Sequence, residues 1–144
     1  MSRDVVMLDS GGTNLGSVKY AFERLGVRAE LSRDVDRIRR ASHVVLPGVG
    51  AAAPGMQRLR EAGLDRLIPT LTQPVLGVCL GMQLLFDASA EGDTTCLGIL
   101  RGKLSRFDGA RCGRVPHMGW NRVDTIKPSP LLAGLERDAF AYFV

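Results

Sequence analysis

A chain of 144 residues, 45% of them hydrophobic, is long enough for one domain with a real core and leaves no length for a second. Its 19 lysines and arginines exceed its 15 aspartates and glutamates, yet the basic residues are dispersed and only 6% of the chain is aromatic, which argues against nucleic acid as the partner. The opening Met-Ser-Arg-Asp and the short apolar run after it are no secretory signal, and no run reaches the length of a membrane span. The expectation is a cytoplasmic protein that meets no membrane.

In chain order the sequence alternates between strand-like and helix-like segments. Val5–Leu8 reads as a strand and is followed by a turn through Ser10-Gly11-Gly12-Thr13-Asn14. Leu15, Val18, Phe22 and Leu25 then recur at helical spacing, with Asn14 as N-cap and Gly26 placed to end the helix. A strand at Val27–Leu31, a helix near Val35–Ala41 and a strand at Val44–Leu46 come next. The basic run Arg37-Ile38-Arg39-Arg40, beside Asp34 and Asp36, reads as a solvated helix face. Pro54 suits a helix start, with Met56, Leu59 and Ala62 on its apolar face, before Leu64–Leu71 and the apolar strand Val75–Val78. Continuously apolar strands are covered on both faces, so the fold class expected is α/β, an open, mostly parallel sheet flanked by helices. After Phe86 the pieces shorten: Gly98–Arg106, Gly113–Pro116, Trp120–Thr125 and Phe140–Val144 read as strands joined by turns.

The most informative segment is Pro74–Phe86, which sets Cys79 between an apolar strand-like run and an apolar helix-like run, with Gly77 and Gly81 two residues to either side. That is the layout of a nucleophile elbow. Strand and helix approach each other closely at such a turn, and glycine removes the Cβ that would clash. Cys79 is then expected at a helix N-terminus, where partial positive charge favours the thiolate, and the Leu80 amide is free to face an oxyanion. A second glycine-rich turn, Leu46-Pro47-Gly48-Val49-Gly50, follows another strand. Acyl chemistry needs two preorganised donors, one after the nucleophile and one from a neighbouring strand end. Gly11, Gly48 and Cys79 all fall just past strand ends, where open α/β sheets carry their sites. Cys79, Cys96 and Cys112 are odd in number and unclustered, so neither a disulfide framework nor a metal site is indicated.

Four segments together resemble a known family: Asp9–Ser17, Leu46–Ala51, Gly77–Phe86 and Val115-Pro116-His117-Met118-Gly119-Trp120-Asn121. They are similar to the class I glutamine amidotransferases, and the last resembles in particular the glutaminase subunits of imidazole glycerol phosphate synthase. The resemblance implies that Cys79 takes the acyl group of glutamine as a thioester and releases ammonia, with no cofactor. It implies that Val49, Gly50 and Leu80 form the oxyanion hole and that Gly48 and Gln83 bind the substrate. It further implies that ammonia passes to a (β/α)8-barrel cyclase subunit in histidine biosynthesis, with Asn14, Met118, Trp120 and Asn121 toward that partner. A glutaminase of another class I amidotransferase and a catalytically silent docking module are the alternative functions.

The family completes its triad with a His-x-Glu near the end of a longer domain, and residues 1–144 contain no such motif. The two histidines, His43 and His117, do not match the catalytic position. The expectation is therefore a single domain, incomplete at its C-terminus, whose nucleophile lacks its base and which alone hydrolyses no glutamine.

Overall fold

The computed structural model describes residues 3–11, 15–136 and 138–143. It divides into two compact units, one ending at Arg106 and the other beginning at Phe107.

The first unit is built on four parallel strands, β1 (Val5–Leu8), β2 (Ala29–Ser32), β3 (His43–Gly48) and β4 (Val75–Cys79), in the order β2-β1-β3-β4. Side chains alternate across the sheet and sort into two buried clusters. Val6, Leu8, Val44 and Leu46 pack with Ile38, Met56, Leu59, Leu64, Ile68 and Leu80 on one face. Val5, Met7 and Val45 pack with Ala29, Val18, Phe22 and Val78 on the other. Helices α2 (Val35–Arg40), α3 (Ala52–Glu61), α4 (Leu64–Leu67) and α5 (Leu80–Gln83) supply the first cover, and α1 (Leu15–Arg24) supplies the second. The open parallel sheet flanked by helices is thus the architecture that the apolar strands imply.

Local signals explain most boundaries. Gly26 at φ 71° ends α1, its N–H and that of Val27 closing on the carbonyls of Glu23 and Phe22. Asp34 caps α2 by accepting from the Arg37 N–H at 2.6 Å. Ala51 precedes α3 with Pro54 in its first turn, and Met56 and Leu59 are buried as expected.

Other expectations are corrected. Leu25 lies past the end of α1 and is 74% exposed rather than facing the core. Strand β4 is not covered on both faces: it is the sheet's edge among the described residues, and Leu76 is 42% exposed. The apolar run after Cys79 is helical only over Leu80–Gln83, and the chain turns at Leu84–Leu85 into a strand the sequence reading missed, β5 (Phe86–Ser89). With β6 (Thr94–Thr95) and β7 (Leu100–Leu104) it forms a second small sheet, parallel to β7 and antiparallel to β6. In the second unit, Gly113–Pro116 is no strand. Gly113 ends the short helix α6 (Gly109–Cys112) at positive φ, and Pro116 has no N–H to give a ladder. The strand expected over Trp120–Thr125 is β8 (Gly119–Arg122), which pairs antiparallel with β9 (Phe140–Phe143). Asn14, expected as the cap of α1, lies outside the described residues. Among the described residues, no helix is long and apolar enough to cross a membrane.

One arginine ties the amino end of the sheet together. The Arg37 guanidinium donates to both carboxylate oxygens of Asp4, at 2.6 and 3.0 Å, and to Glu30 at 2.8 Å. Arg37 is thus a partner in the fold rather than part of a wholly solvated face, while Arg39 and Arg40 are exposed. The hydrogen bonds from Arg37 hold the Asp4 carboxyl below its ordinary value of 3.8. A lowered carboxylate pKa gives stability that is present above the unfolded value and lost as pH falls through the folded one. Urea titrations should therefore find Asp4→Asn less stable than the parent at pH 7, with the gap narrowing below pH 3.8 and closing in stronger acid. An unchanged gap between pH 7 and pH 3 would contradict this role.

Candidate active site

Cys79 ends β4 and stands directly before α5 with φ 53° and ψ −120°, one of two non-glycine residues at positive φ among those described. An L-residue adopts that conformation only where its surroundings impose it. Here the surroundings are backbone. A Cβ on Gly81 would stand 1.8 Å from the carbonyl oxygen of Leu46, and one on Gly77 would stand 2.4 Å from the Cα of Met82. One on Gly48 would stand 2.8 Å from the N of Gly81 and 3.1 Å from the Cβ of Leu80. The three glycines let α5 settle onto the carboxyl ends of β3 and β4, so the chain must reverse within Cys79 itself. Gly55 of α3 continues the close fit, since a Cβ there would meet Leu80 Cδ2 at 3.0 Å.

This packing brings together the expected nucleophile and the expected oxyanion segments. Gly48 is the register partner of Cys79 across β3 and β4, which puts Val49 and Gly50 just beyond the neighbouring strand end. Cys79 is exposed, Leu80 is buried, Val49 and Gln83 are half-buried, and Gly50 is exposed at φ 90°. Gln83 is the last residue of α5, so the helix expected to activate Cys79 is a single turn. A helix so short carries little of the macrodipole on which the thiolate argument rests. The elbow's contribution is geometric: it places an exposed Cys79 at the sheet's carboxyl edge, level with Gly48.

Several supports for this edge went unread in the sequence. The Arg33 guanidinium donates to Asp9 Oδ2 at 2.6 and 3.1 Å, and Asp9 Oδ1 accepts the Gly11 N–H at 3.1 Å, which fixes the turn after β1. The hydrogen bonds from Arg33 are also the main reason the Asp9 carboxyl titrates low. Glu91 accepts the Ala52 N–H at 2.9 Å, anchoring the start of α3 from the connection between β5 and β6. Arg58 donates to the Val49 carbonyl at 3.3 Å. Apart from Asp9 and Gly11, these partners are separated by 9 to 39 positions. Only the acidic residue type near a helix start hinted at any of them.

The two histidines differ in what can be said of them. His43 begins β3 level with Val5, whereas Gly48, five residues on, is level with Cys79. At about 3.3 Å per residue, His43 lies about 16 Å from the Cys79 end of the sheet. Its Nδ1 meets Ser42 Oγ at 3.0 Å. It cannot serve Cys79 as a base. In the second unit His117 is exposed and tilts against Phe143, ring centroids 5.7 Å apart. Trp120 is 71% exposed and meets Tyr142 edge-on at 5.6 Å, with Met118 and Asn121 exposed beside it. Asn14, the remaining residue expected at a partner, is not among those described.

Of the other thiols, Cys96 is buried, donates to the Thr94 carbonyl at 3.6 Å, and has its pKa raised by that burial. Cys112 is exposed at the end of α6. Two hollows, of about 840 Å³ between Asp124 and Glu136 and about 520 Å³ between Asp4 and Arg37, contain none of the expected site residues.

A strand-to-helix elbow with a cysteine at its apex, beside a glycine turn from the next strand, is the arrangement of an acyl-transferring α/β protein. The profile of the family described as glutamine amidotransferase class-I matches residues 6–142, and the chain belongs to that family. Among its relatives, the imidazole glycerol phosphate synthase subunit HisH of Xanthomonas oryzae pv. oryzae is 54% identical over 141 residues, covering 98% of this chain and 70% of that protein. The subunit of the same name from Xylella fastidiosa is 50% identical over the same shares. A crystal structure of a glutamine amidotransferase superposes with a TM-score of 0.66 at 19% identity, covering 83% of this chain and 64% of that one, a likeness of fold.

The steric account separates two kinds of glycine. Gly81→Ala should lose about 3 kcal/mol or more, because the atom it meets is backbone. Gly26→Ala, at positive φ with open space around it, should lose only about 1–2 kcal/mol. Urea unfolding of the two variants checks the order, and equal losses would contradict it.

Proposed function

We propose that this chain is the glutamine-hydrolysing part of an imidazole glycerol phosphate synthase, with Cys79 as nucleophile. Its glutamine amidotransferase role in histidine biosynthesis rests on the family match and on relatives above 50% identity along nearly the whole chain. The observation that supports Cys79 is its positive φ at the tip of β4, imposed by backbone contacts at Gly48, Gly77 and Gly81.

In the reaction the Cys79 sulfur attacks the side-chain amide carbon of glutamine, and the carbonyl π electrons move onto oxygen. Amides at Val49, Gly50 and Leu80 stabilise that oxyanion, a contribution of the kind that costs about 10²–10³ in rate when one donor is lost. Collapse of the intermediate breaks the C–N bond, ammonia leaves with a proton from an acid, and a thioester remains. Water then cleaves the thioester to glutamate and the free thiol. Gly48 and Gln83 border the place where the glutamine would lie. Ammonia goes on to a barrel-shaped cyclase subunit in the same heterodimer, docked against the segment of Met118, Trp120 and Asn121; Asn14, expected toward the same partner, lies outside the described residues. The synthase thereby combines hydrolase and lyase chemistry in the cytoplasm.

His43 is at the wrong end of β3 to serve as the base. Resemblance to the family's His-x-Glu supports a histidine outside residues 1–144. Residues 1–144 alone should then release ammonia at least about 10²-fold more slowly than the intact protein, both with the cyclase present. Comparable rates would show that a group within residues 1–144 serves as the base.

Cys79→Ser in the intact complex should abolish glutamine-dependent synthesis and leave ammonia-dependent synthesis by the cyclase near the parent rate. Loss of both would place Cys79 in the fold or the interface instead. Trp120→Ala should weaken the complex at least about tenfold, as exposed aromatic anchors do, with an unchanged circular dichroism spectrum. Unchanged affinity would remove Trp120 from the interface, and the variant's loss of folded signal would make it a packing residue.

A further inference from the structure

The middle of the turn after β3 is held by a side chain the reaction does not otherwise use. Arg58, half-buried on α3, sends a guanidinium N–H to the Val49 carbonyl, while its Nε is buried and finds no hydrogen-bond partner among the described residues. Its stem passes the turn after β1 as well, Cδ lying 4.0 Å from where a Cβ on Gly11 would stand. An arginine at the surface ordinarily keeps all five donors in water. This one gives up hydration of its Nε to lie between the turns that leave two adjacent strands.

We propose that Arg58 is a positioning residue for glutamine hydrolysis: by holding the Val49 carbonyl it fixes the Val49–Gly50 peptide plane and so the turn from which oxyanion donors are drawn. This rests on the reading of Cys79 as nucleophile. Because the peptide is planar and trans, the direction of its carbonyl also sets the direction of the Gly50 N–H. Gly50 cannot set it unaided. It sits at φ 90° with nothing within 4 Å of a would-be Cβ, and glycine crosses between conformations at little steric cost. The turn's flanks are secured separately, Gly48 by its fit against Leu80 and Gly81, and Ala52 by the Glu91 carboxylate. Arg58 acts on the peptide between them. Preorganised donors stabilise charge because they need no reorientation as it develops, so a loosened turn raises the barrier while the ground-state amide binds as before.

The test compares Arg58→Met, which keeps the apolar stem, and Arg58→Lys, which keeps one donor, in the intact protein complexed with its cyclase. The Met variant should lose about 10- to 100-fold in kcat for glutamine hydrolysis with KM within about twofold. The Lys variant should recover a substantial part of kcat. Alkylation of Cys79 by iodoacetamide, which forms no oxyanion, should keep the parent rate, and the 15N order parameter of the Gly50 amide should fall from the rigid-backbone range to below about 0.6 in the Met variant. Unchanged kcat, a loss carried by KM, or an unchanged order parameter at Gly50 would overturn the proposal. If the parent complex itself releases no ammonia from glutamine, the functional reading falls. The Gly50 order parameter alone then decides whether Arg58 holds the turn. Should Arg58→Met fail to fold, Arg58→Gln is judged by the same readouts.

Discussion

The carbonyl oxygen of Leu46 occupies the space a side chain at residue 81 would need, and much of the first unit is arranged around that exclusion. Helix α5 can lie against the ends of β3 and β4 only without Cβ atoms at 48, 77 and 81. Once it lies there, the link between strand and helix is a single residue. Cys79 takes the strained conformation and is exposed at the sheet's carboxyl edge. The cost of one residue at positive φ is carried by Leu80 and Leu84, which are buried against Gly55 of α3 and the inner face of the sheet.

Polar contacts then fix the turns that border the elbow. Arg33 on Asp9, Arg58 on Val49 and Glu91 on Ala52 each join a turn at the sheet's carboxyl edge to a residue distant in sequence. Arg37, at the opposite edge, joins β1, β2 and α2. Arg33, Asp9, Arg58, Glu91 and Arg37 are basic or acidic residues that composition counts only as net charge. The modest positive excess of the chain is partly structural arginine, not a surface for polyanions.

How much of this was legible depended on range. Cys79 with its two glycines could be read because the elbow is local: strand, reversal and helix fall within a few residues, and the steric need for glycine has a fixed spacing. The alternation of buried faces in β1 and β3 was equally local. The length of α5 was not, because Leu84-Leu85-Phe86 satisfies helical and extended patterns alike, and pairing of Phe86 with Leu100 decided between them. The exposure of Leu76 follows from its strand's place at the edge, which no pattern within Val75–Val78 encodes. Arg58 and Glu91 stayed hidden for the same reason, since their meaning lies in turns 9 and 39 residues away.

The central claim is that backbone geometry makes Cys79 the nucleophile toward glutamine. Treating the intact protein with a diazo-ketone analogue of glutamine and locating adducts by peptide mass spectrometry tests it most directly. The account predicts one adduct, on Cys79, suppressed by excess glutamine, with Cys96 protected by burial and Cys112 unlabelled despite its exposure. Labelling of Cys112 at the rate of Cys79, or an unlabelled Cys79, would contradict it.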